Sequence, residues 1–180
     1  MAKKSNIPEL EDVKISLKGI VFFGIQSPFS KPYNLAHFIN EIFDIELEKT
    51  IDFESYATGN GIDFPCYNYV SETEKCTYYF IGSDGADVLF SNYSDMNFWF
   101  LVEFEQGLNK QRLSLLKEKL YNELSELEQV FLVVETDDSK LANFADFEDF
   151  KLDFSYYQTK LLAERAEERR AMLSYDKRLR

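Results

Sequence analysis

His37 is the only histidine of the chain and is therefore the first residue to consider as a general base. A general base needs an acid, a nucleophile or an orienting group within hydrogen-bonding distance. His37 falls in a short amphipathic segment, beside Phe38 and one helical turn from Tyr33 and Glu41. We favour a histidine at the surface or at the edge of the core over a catalytic one. With no nucleophile elbow and no phosphate-binding loop in the chain, we predict that the protein is not an enzyme.

Two short acidic groups carry carboxylate oxygens of the kind that Mg²⁺ and Ca²⁺ prefer. Asp84 and Asp87 flank Gly85, and Asp137 is followed by Asp138. Neither group has the alternating ligands of a calcium-binding loop, and aspartate beside glycine is typical of turns. We interpret both groups as turns, and we predict neither a metal site nor a bound cofactor.

Cys66 and Cys76 are the only cysteines, which is too few for a disulfide framework or a zinc site. Their spacing across a predicted strand pair could place them opposite each other. In a reducing compartment we favour two buried free thiols. The N-terminal residues lack the apolar core of a secretory signal, and no apolar run approaches the ~20 residues of a membrane-spanning helix. We therefore expect a cytoplasmic protein without membrane contact.

Tyrosines in two neighbouring predicted strands could stack on nucleic-acid bases, as exposed aromatic residues do in RNA-binding sheets. They are Tyr67, Tyr69, Tyr78 and Tyr79. Lys75 is almost the only cation near them, and a net charge of −12 repels phosphates, so we favour sheet packing. The charge is uneven, because residues 159–180 carry a net +3 and residues 1–158 carry −15. Nucleic acid is expected only at the basic tail, although the acidic body also permits an inhibitor that mimics nucleic acid.

The candidate residues named above lie in elements that we expect to pack around one buried central strand. Seven of nine residues from Met96 to Phe104 are apolar, including Trp99, the only tryptophan, which predicts a strand covered on both faces. Other strands are predicted at Val13–Ile25, Leu47–Phe53, Cys66–Val70, Cys76–Ile81, Asp87–Phe90 and Val130–Val134. Amphipathic helices are predicted at Tyr33–Phe43 and Leu113–Leu127. The sequence thus predicts an α+β domain with a single antiparallel sheet, largely a meander, two amphipathic helices on one face, and a C-terminal helical extension.

The chain changes character after residue 142. We predict a core domain at 1–142, an aromatic and acidic connecting segment at 143–158, and a charged helical segment at 159–180, with the helix itself running from about Ser155 to Ser174. An apolar stripe at helical spacing crosses the second boundary. It consists of Phe147, Phe150, Phe154, Tyr157 and Leu161. Two alternatives stay open: the stripe docks on the protein's own sheet, which we favour for 143–154, or it lies in a groove of another protein.

The charged helix suggests a function. Its apolar stripe is thin and its cations are numerous, so we expect a helix that projects, pairs with a second copy, or binds an acidic partner. Our first hypothesis is an adaptor or assembly protein for a larger protein or ribonucleoprotein complex. The partner-binding candidates are Phe147, Phe150, Phe154, Tyr157, Leu161, Arg165, Arg169, Arg170, Lys177, Arg178 and Arg180. The main alternative is a small-molecule-binding or enzymatic domain with a pocket between the sheet and the first helix.

The run from Phe22 to Phe150 resembles the IPExxxVDY family, small proteins of unknown function from Bacteroidetes. The resemblance lies in a strand ending in Gly24–Ser27, the helix at Tyr33–Asn40 and the stretch Leu89–Val102. At the naming motif, this chain has Phe90, Ser91, Asn92, Met96, Asn97 and Phe98 where Ile, Pro, Glu, Val, Asp and Tyr would be expected. The resemblance implies the fold and a bacterial cytoplasmic setting, and it brings no activity with it.

Overall fold

A computed structural model describes residues 20–56, 61–83, 87–104, 110–136, 138–141 and 145–178. The strands are β1 (Ile20–Gln26), β2 (Glu48–Lys49), β3 (Phe53–Ser55), β4 (Ile62–Phe64), β5 (Cys66–Ser71), β6 (Cys76–Gly82), β7 (Phe98–Phe104) and β8 (Leu132–Thr136). The helices are α1 (Pro32–Phe43), α2 (Lys110–Glu126), α3 (Asp138–Leu141) and α4 (Ala145–Arg178), with a 3₁₀ turn at Ser91–Tyr93. The predicted α+β class is confirmed.

Six strands form the main sheet in the order β2-β5-β6-β7-β1-β8, and every neighbouring pair is antiparallel. The consecutive strands β5, β6 and β7 form a meander, whereas β1 lies between β7 and β8. The predicted central strand is confirmed as β7, which pairs with β6 and β1. A separate ribbon of β3 and β4 accompanies the main sheet, so the prediction of a single sheet was incomplete.

Alternate residues of the strands belong to two different cores, because successive side chains of a strand point to opposite faces. Phe23 of β1 and Phe100 of β7 lie on the face that α1 and α2 cover, which we call the α1–α2 face. The two helices contribute Leu35, Ala36, Ile39, Leu120 and Leu124 to this core. The prediction that two amphipathic helices cover one face of the sheet is therefore confirmed.

The opposite face, which we call the α4 face, is covered by α4 and the β3–β4 ribbon. Phe22 and Trp99 point into this core from the sheet. The ring centroid of Phe150 lies 5.0 Å from that of Phe90 and 5.5 Å from that of Phe53. The whole predicted stripe is buried here: Phe147, Phe150, Phe154, Tyr157 and Leu161. The stripe therefore docks on the protein's own sheet, and these five side chains are core residues rather than exposed anchors for a partner.

Helix α4 begins at Ala145, ten residues before the predicted start at Ser155. Aromatic residues and aspartate have only moderate intrinsic helix propensity, and here packing on the sheet outweighs it. The helix then runs without a break through the predicted boundary between residues 158 and 159. Residues on both sides of the boundary predicted after residue 142 share one core, and the three-part division stays a prediction.

Two predicted strands also differ from the structure. Asp87–Phe90 is a loop that leads into the 3₁₀ turn and not a strand. Leu89 and Phe90 are apolar because their side chains are buried in the core of the α4 face. Leu47–Phe53 divides into β2 and β3, which belong to different sheets. The division occurs at Thr50, whose backbone N–H donates to the carbonyl oxygen of Cys66 at 2.9 Å. Strand β4 was not predicted, and the predicted start of the first strand, 13–19, lies outside the described residues.

The central position of Phe150 yields a prediction. We expect Phe150→Ala to lower the free energy of unfolding by about 3–5 kcal/mol, because the cavity would lie amid the rings of Phe22, Phe53 and Phe90. Urea unfolding followed by circular dichroism measures the change. Tyr156→Ala on the same helix is the matched control, since Tyr156 is 57% exposed and its removal should change stability by less than about 1 kcal/mol. Equal losses in the two variants would contradict the docking described here.

Candidate functional site at the end of α4

Helix α4 leaves the sheet after Leu161, which is 5% exposed. From Leu162 to Leu173 every side chain is exposed except that of Arg165, which is half-buried. The Nη2 atom of Arg165 donates to Oδ1 of Asn68 on β5 at 2.8 Å. Beyond Arg165, the side chains from Ala166 to Leu173 are exposed to solvent.

A cleft of about 780 Å³ opens between the sheet and α4 at this point. The sheet side is formed mainly by Asn68, Val70, Thr77, Tyr79 and Glu103, with Glu46, Glu48 and Glu72 also lining it. The helix side is formed by Gln158, Leu161, Leu162, Arg165 and Arg169. The cleft therefore brings carboxylates from the acidic body next to two of the predicted partner-binding arginines.

A hydrogen-bonded group fixes one end of the cleft. The Oε2 atom of Glu103 accepts from Nε2 of Gln158 at 2.7 Å and from the hydroxyl of Tyr79 at 3.1 Å. Burial, together with the charge of Glu103, raises the pKa of Tyr79 above its usual value. Tyr79 is therefore a neutral donor at physiological pH and holds the carboxylate of Glu103 in place.

Asn68 lies at the other end and is only 2% exposed. Its Oδ1 atom is occupied by Arg165, but its buried Nδ2 atom has no hydrogen-bond partner among the described residues. A buried amide donor without a partner costs about 1–3 kcal/mol of stability.

Cys66 lies in a buried polar group beside the cleft. The hydroxyls of Thr50 and Tyr157 are 2.8 Å apart, and Thr50 also donates to the carbonyl oxygen of Cys66 at 3.1 Å. Burial raises the pKa of the Cys66 thiol to about 12. The thiol is therefore protonated at physiological pH, so it is a poor nucleophile and a poor metal ligand.

The two cysteines do not face each other. Cys66 pairs with Ile81 and Cys76 with Ser71, so the thiols lie at opposite ends of the β5–β6 hairpin. They also belong to different cores, Cys66 to the α4 face and Cys76 to the α1–α2 face. Both are buried thiols outside any disulfide, as we favoured, and the facing arrangement that their spacing allowed is not formed.

The other sequence candidates have structural positions. His37 lies exposed on α1, with its Nε2 atom 3.7 Å from Oε1 of Glu41. Asp84, Asp137 and the side chain of Asp138 lie outside the described residues. Among the residues that the structure does describe, no group of three His, Cys, Asp or Glu side chains is placed to share a metal ion.

The tyrosines of β5 and β6 pack within the sheet, as we favoured. Tyr67 and Tyr78 belong to the core of the α1–α2 face, with Tyr69 packed against it, and Tyr79 lies under α4. The pocket predicted between the sheet and the first helix would need space beneath α1. Leu35 and Ile39 fill that interface and are fully buried, and the cleft described above lies on the opposite face.

Residues of the suggested family motif hold loops together. The side-chain amide of Asn97 donates to the carbonyl oxygen of Ser27 at 2.9 Å and accepts from its N–H at 3.0 Å. The N–H and hydroxyl of Ser91 both donate to Oδ2 of Asp146 on α4, at 2.7 and 2.8 Å. In this chain these positions have structural contacts that join β7 to the end of β1 and the 3₁₀ turn to α4.

Comparisons with family models, with curated proteins and with solved structures found no significant match to the chain. Within the described part of the chain, no helix is both long enough and apolar enough to cross a membrane. The site must therefore be interpreted from its own residues.

Sequence reasoning missed the cleft. Its signals were present in Asn68, a polar residue between the apolar Tyr67 and Tyr69 in a strand, and in Gln158, which directly follows the last aromatic residue of the stripe. Of the predicted cations, Arg165 and Arg169 line the cleft, and Arg170 is exposed to solvent. The side chains of Lys177 and Arg178, and the whole of Arg180, lie outside the described part of the structure.

The buried thiol predicts a pH dependence. Burial raises the pKa of the Cys66 thiol to about 12 in the folded state from an ordinary value of 9.0, so the thiol ionises between these values only in the unfolded state. The stabilisation is fully present below pH 9 and is lost as the pH rises towards 12, reaching a loss of about 1 kcal/mol at pH 10. Urea unfolding from pH 7 to pH 10 should show this loss in the parent and a smaller loss in Cys66→Ala. Identical pH slopes would contradict the prediction.

Proposed function

We propose that the protein is a non-enzymatic adaptor that binds another protein through the exposed end of α4. The observation that carries the proposal is the continuity of this helix. Its first half is fixed by five buried side chains, and the same helix continues for 17 residues beyond Leu161, about 25 Å at 1.5 Å per residue. A helix that is already formed and oriented loses less conformational entropy on binding than a disordered segment would.

The chemistry of this end favours a protein partner. Met172 and Leu173 are 71% and 63% exposed, and the exposed Arg169 and Arg170 lie one helical turn before them. Adjacent apolar and basic side chains on a helix suit an apolar groove that is edged by carboxylates. Lys177, Arg178 and Arg180 add positive charge in the sequence that follows.

Other occupants are less well supported. RNA would be repelled by the −15 charge of residues 1–158, and a second copy of the chain would bring two such acidic bodies together. The inhibitor that mimics nucleic acid stays a prediction. Membership of the IPExxxVDY family likewise stays a proposal, and it would add no activity to the one argued here.

The test is a binding experiment with the full chain and with a chain ending at Arg170, which keeps the docked stripe and the cleft. We expect a single stoichiometric partner to be retained from an extract of the native cells by the full chain only. With the purified partner, Met172→Ser/Leu173→Ser should weaken binding by at least about tenfold, measured by calorimetry. Glu167→Gln/Glu168→Gln on the same exposed helix is the matched control and should bind as the parent does or better.

Thermal unfolding of the shortened chain should match that of the parent, because the five buried side chains that dock α4 on the sheet, from Phe147 to Leu161, are all retained. Equal binding by the shortened chain, or no partner for the full chain, would overturn the proposal. A dimer that forms only when residues 171–180 are present, seen by light scattering, would replace it with self-association.

A further inference from the structure

We propose that the partner of this adaptor contacts α4 with a helix of its own, which lies along the outer face of α4 from Leu152 to Leu173. We call this face the outer seam. The contact rests on the proposed function and extends it. It adds a second part of the interface, on the body of the protein, and it specifies the kind of element that the partner presents there.

The outer seam lies on the side of α4 that points away from the sheet. Its residues follow one another at alternating steps of four and three, and all of their side chains are exposed: Leu152, Tyr156, Thr159, Ala163, Ala166, Arg170 and Leu173. At 3.6 residues per turn, the seam lies about half a turn around the helix from the buried stripe of Phe147 to Leu161. Helix α4 therefore has one apolar stripe in the core and a second, largely apolar one that faces solvent.

The spacing of the seam selects a helix as its occupant. Alternating steps of four and three average 3.5 residues, which is the repeat at which two helices stay in contact along their length. Leu152 and Leu173 are about 32 Å apart along the axis at 1.5 Å per residue, so a partner helix of about six turns would cover the seam. An extended strand would meet only part of it, because its side chains repeat every two residues.

The middle of the seam permits close contact between two helices. Ala163 and Ala166 are small, and small side chains allow helix axes to approach to about 8 Å. The hydroxyl of Thr159 donates to the carbonyl oxygen of Ser155 at 3.0 Å. A partner helix can therefore cover Thr159 without burying an unpaired hydroxyl donor.

Larger side chains lie at both ends of the seam. Leu152 and Tyr156 are 52% and 57% exposed at its start, and Leu173 is 63% exposed at its end. The Nζ atom of Lys160 lies 4.6 Å from the ring centroid of Tyr156 and 3.5 Å from Oε2 of Glu54. An aromatic ring that is already held in place loses little conformational freedom when a partner covers it.

Arg170 gives the seam its charge and thereby specifies the partner helix. A cation that another helix covers needs a carboxylate opposite it. The partner helix therefore carries an apolar stripe with Asp or Glu facing Arg170, and this single charged position fixes the register of the two helices. Arg170 also disfavours a second copy of this chain in parallel, because the two guanidinium groups would face each other.

Calorimetry with the partner purified in the binding experiment above tests this contact on full-length variants. We expect Leu152→Ser to weaken binding by about tenfold, although position 152 is about 32 Å from Leu173. Ala163→Gln should weaken binding to a similar extent, because the longer side chain keeps the two helices apart. Glu168→Gln introduces the same side chain on the opposite side of the helix, so it is the matched control and should bind as the parent does. All three positions lack core contacts, and each variant should unfold at the temperature of the parent.

A cross-linking experiment identifies the element of the partner that lies on the seam. The photoreactive residue p-benzoylphenylalanine in place of Leu162, which is 67% exposed beside the seam, should link to one segment of the purified partner. Mass spectrometry locates that segment. A synthetic peptide of its sequence should gain helical circular dichroism when it is mixed with the full chain.

The outcomes separate this contact from the adaptor proposal. If Leu152→Ser binds as the parent does while Met172→Ser/Leu173→Ser binds weakly, the outer seam is not used and the adaptor proposal stands. Equal binding by Ala163→Gln and Glu168→Gln, or a cross-linked segment that stays non-helical, would likewise overturn the contact. The absence of any partner would overturn both proposals. A dimer of the parent that Ala163→Gln abolishes, seen by light scattering, would replace the partner helix with a second copy of the chain.

Discussion

The structure depends on covering both faces of one sheet. Large apolar side chains alternate along β1 and β7, so that Phe22 and Trp99 face one way while Phe23 and Phe100 face the other. Leaving either set in water would forfeit about 1.5–3 kcal/mol for each large side chain. Helices α1 and α2 cover one face. The other face relies on α4 and the small β3–β4 ribbon, which is why the aromatic stripe of α4 is the contact on which the remaining features rest.

The exposed end of α4 and the cleft beside it both result from the point at which α4 stops covering the sheet. The buried stripe stops at Leu161, but the helix continues to Arg178. The buried half of α4 therefore fixes the direction of the part beyond Leu161. The sheet in turn extends past the point where α4 leaves it. Val70 of β5 is consequently exposed on a face that is otherwise buried, and the polar residues around it form the cleft.

Much of the fold could be predicted because its signals are local. Seven apolar residues in nine identified β7, helical spacing identified α1 and α2, and steps of three and four residues identified the stripe. The errors arose where tertiary contacts decide the outcome. Phe90 is apolar because it packs under α4, and α4 starts early because aromatic residues gain more from the core than they lose in helix propensity. The cleft was missed because Asn68 and Gln158 are only weak local signals, while its defining bond joins Asn68 and Arg165, which are 97 residues apart.

The position of α4 at the end of the described chain has a consequence for biosynthesis. A ribosome makes β1, β7 and their neighbours well before the stripe from Phe147 to Leu161, so the nascent sheet carries Phe22 and Trp99 without a cover. Strand β1 must also wait for β8, its partner more than a hundred residues later. Pairings of such long range slow folding and leave apolar surface exposed to aggregation. Helix α4 is translated after every strand that it covers, so its synthesis sets the time at which this apolar face of the nascent sheet can be buried.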